Sequence, residues 1–300
     1  MRVAITGSSG LIGTALAAHL RLNGIDVVRL VRRPPAAGDE VRWDPAAPDG
    51  GLQWSALGTV DAVVHLSGAP VAGGLWTPTR KQVLRSSRID STAALVRALL
   101  AADARPPTLL AGSAIGWYGD TGDRAVDETA PAGAGFLATL VRDWEAAAEP
   151  AAAAGLRVVQ LRSGVVLSRA GGMLRPLLPP FRLGLGARIG AGSQYLSWIS
   201  IADHVRAVTF LVGRPDISGP VNLTAPIPAT NGEFTHALGA AVRRPAVLAI
   251  PGWTVRLALG ELSTELLGSS RVRPTRLQQA GFDFDYPAIG PALTDAVRRR

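Results

Sequence analysis

The sequence predicts an α/β fold, a doubly wound parallel sheet with a smaller C-terminal α/β substrate region. Three observations carry that expectation. Apolar strand-like runs alternate with helical periodicity from residue 1 to about 165. A glycine-rich turn, Gly7-Ser-Ser-Gly-Leu-Ile-Gly13, joins the first strand directly to the first helix. Beyond 165 the rhythm breaks at Gly171-Gly172, Pro176, Pro179-Pro180 and a Gly-rich run from 184 to 192.

The first strand begins at Arg2 and runs into glycines spaced GxxGxxG, one residue longer between the first two than GxGxxG. Gly7 permits a tight turn, Gly10 lets the backbone approach a pyrophosphate, and Gly13 lets the helix pack close to the strand. Free N–H groups at the helix N-terminus face the anion. Gly7, Ser9, Gly10, Leu11, Ile12 and Gly13 are therefore expected cofactor contacts. The helix covers about 13 to 23 and ends at Gly24, and Asp26 to Arg32 reads as the second strand. A loop rich in Pro, Gly and Asp spans 34 to 51. Asp61 to Gly68 is an apolar strand closing on a glycine, followed by one helix over about 78 to 102 with Val83, Leu84, Leu95, Val96, Leu99 and Leu100 as its apolar positions. Pro106-Pro107 stops it, and Thr108 to Gly112 is the next strand. A helix centred on Phe136 to Ala148 and a strand from Arg157 to Arg162 complete the alternation. The Ala-rich stretch 146–154 reads as helix rather than linker, because Ala is the strongest helix former, and Pro150 fits a break between two short helical turns.

Two later segments read as returns to the first domain: Ser197 to Asp203 before an apolar helix at 204–213, and Gly219 to Thr224 as a short strand. The expected division is a nucleotide-binding domain over 1–165 with returning segments at about 197–225, and a substrate region over 166–196 and 226–300. Asn231-Gly-Glu-Phe-Thr235 reads as a capped helix start within a mostly helical C-terminal region.

The second strand's end decides between nicotinamide cofactors. An acid there accepts a hydrogen bond from the adenosine ribose 2′-hydroxyl, whereas arginine pairs with a 2′-phosphate. This chain carries Arg32 and Arg33 and no acid, which favours NADP.

Composition narrows the remaining classes. Three hundred residues with 47% hydrophobic content bury a substantial core. No run approaches the roughly 20 apolar residues that span a bilayer, and Met1-Arg2 leads into a strand rather than a cleavable signal, so a cytoplasmic protein without a membrane partner is expected. Zero cysteines exclude thiol nucleophiles and disulfides, and the 4 histidines show no ligand spacing, so no metal is expected. A net charge of +8 invites a nucleic-acid reading. The arginines are spread along the chain, apart from Arg32-Arg33, Arg243-Arg244 and Arg298-Arg299-Arg300, which argues for a solvated arginine surface instead. The expected partner is a small-molecule substrate and not a nucleic acid, and the charge would still attract anionic small molecules.

Taken together, Thr6 to Gly13, His65-Leu-Ser-Gly-Ala69, Ser113-Ala-Ile-Gly-Trp-Tyr-Gly119 and Trp198 to Asp203 resemble the extended short-chain dehydrogenase/reductases, a Rossmann-fold group that includes nucleotide-sugar epimerases and dehydratases. Trp144-Glu145, Leu161 to Leu167, Gly171-Gly172, Pro180 to Gly186, Gly219 to Pro226 and the segment Pro251 to Phe284 are similar to an atypical branch, the epimerase family proteins, with its C-terminal extension. The resemblance implies that Leu66, Ser67 and Gly68 lie against adenine and ribose, that Ser113 is catalytic, and that Arg88 stands on the cofactor side of its helix beneath the pyrophosphate. One departure stands out. The parent group's Tyr-x-x-x-Lys pair should fall near Phe136 to Val141, which reads Phe-Leu-Ala-Thr-Leu-Val. Lys81 is the only lysine, and the tyrosines are 118, 195 and 286.

Tyr118, on the loop after Ser113, is the candidate to assist proton movement. Asp203 is expected to cap the helix after it, His65 and His204 to be hydrogen-bonded core, and Trp198 and Gln194 to border the substrate. Two functions compete: an NADP-dependent oxidoreductase or epimerase acting on a hydroxyl-bearing small molecule such as a nucleotide sugar, and a non-catalytic NADP(H)-binding sensor or scaffold, which the missing pair motivates.

Overall fold

The computed structural model describes residues 1–47 and 51–298. Part of the 34–51 loop (48–50) and the terminal 299 and 300 of the arginine triplet lie outside the described residues.

Seven strands form one parallel sheet: β1 (Arg2–Thr6), β2 (Asp26–Val31), β3 (Glu40–Arg42), β4 (Ala62–His65), β5 (Thr108–Ala114), β6 (Arg157–Ser163) and β7 (Gly219–Leu223). Their order across the sheet is β7-β6-β5-β4-β1-β2-β3, so the chain winds outward from β1 in one direction and then in the other. Central strands read as continuous apolar runs because helices cover both faces. One face packs α1 (Leu11–Leu22) and α7 (Ile201–Val212), with Ile5, Leu16, Val64, Leu161 and Leu211 at their contact. The other packs α3 (Ile89–Ala101), with Val63, Leu95, Leu99, Leu109 and Val158.

Several elements differ from the sequence expectation. The loop at 34–51 contains β3, too short to show a period of two. The helix expected over 78–102 is two, α2 (Pro78–Ser86) and α3, broken at Ser87-Arg88, where the Arg88 backbone is distorted from ideal helical values (φ −113°, ψ −61°). By contrast, the break expected at Pro150 is present: α4 (Phe136–Ala146) and α5 (Glu149–Ala153) divide just before that proline, which has no N–H to continue the ladder. Pro179 and Pro180 do not break α6 (Leu174–Arg182), whose buried Leu174, Leu178 and Phe181 hold it against the C-terminal lobe.

That lobe has a separate core in which Leu174, Phe181, Trp198, Phe234, Leu238 and Leu293 meet, drawn from α6, α8 (Asn231–Val242) and the helix Ile289–Arg298. Thr230, not Asn231, caps α8, in a reciprocal box with Glu233. A smaller cluster of Trp76, Leu84, Leu140 and Leu262 joins the lobe to α2 and α4. Lys81 reinforces the junction, ion-paired with Glu261 and lying 4.9 Å over the Phe136 ring. Among the described residues no helix is long and apolar enough to cross a membrane.

Candidate functional site

The C-terminal edge of the sheet gathers most of the residues singled out above. Gly7 has φ +65°, and a Cβ there would stand 2.6 Å from the Leu66 carbonyl oxygen. A Cβ on Gly13 would stand 2.2 Å from the Gly7 carbonyl oxygen. Only hydrogen fits at either position, so the turn, the start of α1 and the Leu66-Ser67-Gly68 segment after β4 lie in one tight cradle. Gly10 is the N-cap of α1 and no side chain caps that end, while Ser9 and Gly10 are exposed. The first-turn N–H groups, those of Leu11 and Ile12 included, thus have no side-chain cap, an arrangement that favours an anion.

Arg88 closes the cradle from the side. The break between α2 and α3 turns its side chain inward until a Cβ on Gly68 would stand 3.2 Å from Arg88 Cζ. The guanidinium donates to the Ala69 carbonyl at 2.9 Å and the Leu84 carbonyl at 3.3 Å, and lies 5.2 Å over the Trp144 ring. It is buried and pairs with no carboxylate among the described residues. Burial, with Arg80 nearby, lowers its pKa to about 10. A buried cation without a counter-ion is costly, and an anion in the cradle relieves that cost.

The two arginines after β2 behave differently. Arg32 directly follows the last residue of the strand and is exposed, with no hydrogen-bond or ion-pair partner among the described residues. Arg33 is held by Glu40, its NH1 and NH2 donating at 2.8 and 2.6 Å. The hydrogen bonds from Arg33 and Ala36 hold the Glu40 carboxyl at about 2.

Ser113 and Tyr118 both belong to a buried polar network. Ser113 lies near the end of β5, and its hydroxyl donates to Glu145 Oε1 at 2.5 Å. Glu145, on α4, accepts two bonds from Arg162 on β6, Nε to Oε1 at 2.8 Å and NH2 to Oε2 at 2.9 Å. Arg162 NH1 donates to the Tyr118 hydroxyl at 3.0 Å, and that hydroxyl donates to Asn222 Oδ1 at 2.8 Å. The guanidinium also stacks 3.9 Å over the Trp117 ring. Burial by itself lowers the Arg162 pKa, but the Glu145 carboxylate more than offsets it and the net direction is up. Burial raises the Tyr118 pKa despite that neighbouring cation. Beyond Asn222 the chain of contacts reaches Glu128, which accepts from the Asn222 backbone N–H at 3.0 Å.

Sequence reasoning missed Glu145 and Arg162 as site residues. Arg162 offered a signal, since a charge inside an otherwise apolar strand must find a partner. Trp144-Glu145 and Leu161 to Leu167 stood out only as marks of the atypical branch, and no spacing between them made Glu145 the partner of Arg162. The stretch Phe136 to Val141 instead supplies apolar packing, with Ala138, Leu140 and Val141 buried.

Other candidates serve the scaffold. Ser200, not Asp203, caps α7. Asp203 is fully buried and accepts from Arg206, from Ser200 and from the backbone N–H groups of Asp285 and Tyr286, which pins the C-terminal segment to the start of α7. Gln194 donates to the carbonyls of Ile189 and Leu266, and Trp198 to that of Ile227. His65 lies 2.7 Å from Thr6 Oγ1, and His204 Nε2 lies 2.9 Å from Ser163 Oγ. Complete burial lowers both histidines to about 4, so both are neutral near pH 7. Among the described residues no group of three or more His, Asp or Glu could hold a metal ion.

Comparison with known proteins places this architecture. Residues 3–223 match the NAD dependent epimerase/dehydratase family. The chain belongs to that family. Residues 250–296 match a domain of unknown function, DUF1731, which covers the segment expected as a C-terminal extension. The chain is 52% identical over 298 residues to an epimerase family protein of Mycobacterium tuberculosis, covering 99% of this chain and 98% of that one. It is 36% identical over 301 residues to the epimerase family protein SDR39U1 of Mus musculus, covering 99% and 100%. Among solved structures, human epimerase family protein SDR39U1 (isoform 2) with NADPH superposes with a TM-score of 0.90 at 33% identity, covering 100% of both chains. A nucleoside-diphosphate sugar epimerase from Corynebacterium glutamicum gives 0.81 at 34% identity, covering 99% of this chain and 58% of that one.

Proposed function

We propose that this family member binds NADP(H) and catalyses oxidoreduction or epimerisation of a hydroxyl-bearing small molecule of the nucleotide-sugar class, in the cytoplasm. The carrying observation is the Gly7–Gly13 cradle with its uncapped helix end and the unpartnered Arg32 beside it. The same features test the fit of the cofactor. The cradle admits no Cβ at Gly7 or Gly13, the free N–H groups and buried Arg88 suit a diphosphate, and Arg32 suits a 2′-phosphate. Ser9, Gly10, Leu11, Ile12, Leu66, Ser67 and Gly68 line it. Arg33, ion-paired with Glu40, braces the loop behind Arg32 and leaves the 2′-phosphate to Arg32. The NADPH in the human relative's structure and the sugar-nucleotide name of the Corynebacterium protein support this reading.

When bound, the nicotinamide supplies hydride acceptance and return. The protein's part is to bind, orient and move a proton. Ser113 is the proposed catalytic hydroxyl, fixed in one orientation by its bond to Glu145. As it accepts a proton from the substrate hydroxyl, it passes its own to Glu145 Oε1, and the return path is the reverse. Arg162 keeps Glu145 in place, and Tyr118, with its hydroxyl engaged on both sides, is a positioning residue that holds Arg162. The absent Tyr-x-x-x-Lys pair is thereby replaced by a serine–carboxylate relay.

One observation favours the non-catalytic alternative, namely the engagement of the Tyr118 hydroxyl by Arg162 and Asn222. Calorimetry with NADPH and NADH, followed by nicotinamide absorbance on a panel of nucleotide sugars, separates the two. The proposal expects tighter NADPH binding, loss of that preference in Arg32→Glu, and turnover that Ser113→Ala lowers by about 100-fold or more. Equal affinity for both cofactors refutes the NADP assignment. Tight binding without turnover across the panel leaves the sensor.

A further inference from the structure

We propose that the outer face of the C-terminal lobe docks on an anionic lipid surface, with apolar side chains entering the interface and arginines meeting the headgroups. The face is built from three neighbouring segments. Strand Leu248–Ile250 pairs in parallel with Ala187–Ile189, Arg244 Nε donates to the Arg182 carbonyl at 3.1 Å, and Pro251 leads from the strand into α9 (Gly252–Leu259). Leu183, Leu185, Val247, Leu248, Trp253 and Leu257 all protrude there, with Val247 and Leu257 each 82% exposed and Trp253 64% exposed. Trp253 and Leu257 share one face of α9 at i and i+4, whereas Val255 is its buried residue. Scattered single hydrophobics are normal on a surface, but six of them on paired and consecutive segments mark a docking site.

Charge selects the occupant. The segments 182–192 and 243–260 contain five arginines, at 182, 188, 243, 244 and 256, and no aspartate or glutamate. All five are exposed, and none pairs with a carboxylate among the described residues. A second copy related by a twofold axis would bring those arginines against their own equivalents, which disfavours a self-interface. An anionic bilayer surface satisfies both halves of the pattern. Arginine stems cover apolar ground while their heads reach phosphate, and tryptophan prefers the headgroup level. The contact is peripheral and needs no spanning helix, of which the described residues contain none. It is independent of the cofactor reading.

The test is flotation of the whole protein with vesicles of phosphatidylcholine alone and of phosphatidylcholine mixed with phosphatidylglycerol. Binding to the mixed vesicles at low salt, falling as salt rises, is expected, with little on the neutral ones. Removing arginines lowers partitioning by about five-fold each, so Arg243→Gln with Arg244→Gln costs about 25-fold. Leu257→Ser costs on the order of tenfold. Both variants should keep the far-ultraviolet dichroism and NADPH affinity of the parent. A blue shift of emission on vesicle binding should be smaller in Trp253→Phe. No retention on anionic vesicles overturns the proposal, as does equal retention of Leu257→Ser. Binding to a soluble acidic polymer that matches vesicle binding, with no emission shift, assigns the face to an acidic protein and also overturns it. A concentration-dependent dimer abolished by Leu257→Ser does the same in favour of a second copy.

Discussion

Replacing Arg162 with methionine removes the cation at the centre of the buried network while keeping side-chain volume nearly constant. The Arg162 and Glu145 side chains are 3% and 10% exposed, so solvent screening offers little relief. The substitution deletes two charge-assisted bonds to Glu145, the bond to the Tyr118 hydroxyl and the stacking over Trp117. It leaves a carboxylate in a low-dielectric site with only the Ser113 hydroxyl as its side-chain partner. Breaking a buried pair from one side costs about 3–5 kcal/mol, a large part of the roughly 5–15 kcal/mol that stabilises a domain. Urea unfolding followed by tryptophan emission should show the midpoint falling with the slope unchanged. Glu145→Leu combined with Arg162→Met should recover most of the loss, because no charge then remains unpaired. A cost for Arg162→Met below about 1 kcal/mol refutes the reasoning, since it would mean that the carboxylate finds water or a proton at no expense.

Gly7→Ala demands φ +65° from an L-residue and drives its Cβ into the Leu66 carbonyl, so nucleotide affinity measured by calorimetry should fall at least tenfold, with a loss of thermal midpoint besides. The two buried histidines make stability depend on pH. Their folded values of about 4 lie below the unfolded value near 6.5, so the unfolded chain binds more protons between those limits. Stability is therefore full above pH 6.5 and declines as pH falls toward 4, by about 3 kcal/mol for each histidine. Urea midpoints taken at pH 7.5, 6 and 5 should trace that decline, and His204→Gln should flatten it; a profile indifferent to that substitution contradicts the assignment.

The fold was legible because parallel strands covered on both faces must be apolar runs, and the runs from Val3, Val27, Val63, Leu109 and Val158 stand out between helical periods. The cofactor cradle was legible for a related reason. Gly7 and Gly13 are local requirements of a turn and leave a local mark. What escaped was non-local. β3 is 3 residues long, and its place at the sheet edge depends on β2. The break at Ser87-Arg88 carries no proline or glycine, and only the burial of the Arg88 side chain against Gly68 accounts for it. Glu145 meets Arg162 across 17 positions and Ser113 across 32, separations at which no periodicity speaks. The same applies to Asp203, read as a cap from its neighbours but tied to backbone more than 80 residues later.

The bond between the Tyr118 hydroxyl and Asn222 spans 104 positions, and Asn222 lies on the outermost strand of the sheet, added only after the excursion through α6. A ribosome making this chain has therefore released the glycine cradle and the greater part of the sheet long before the network around Arg162 is complete. During that interval the edge of β6 is bare and its arginine lacks the full shell that later encloses it, so the nascent chain passes through a stage in which the nucleotide platform exists and the relay does not.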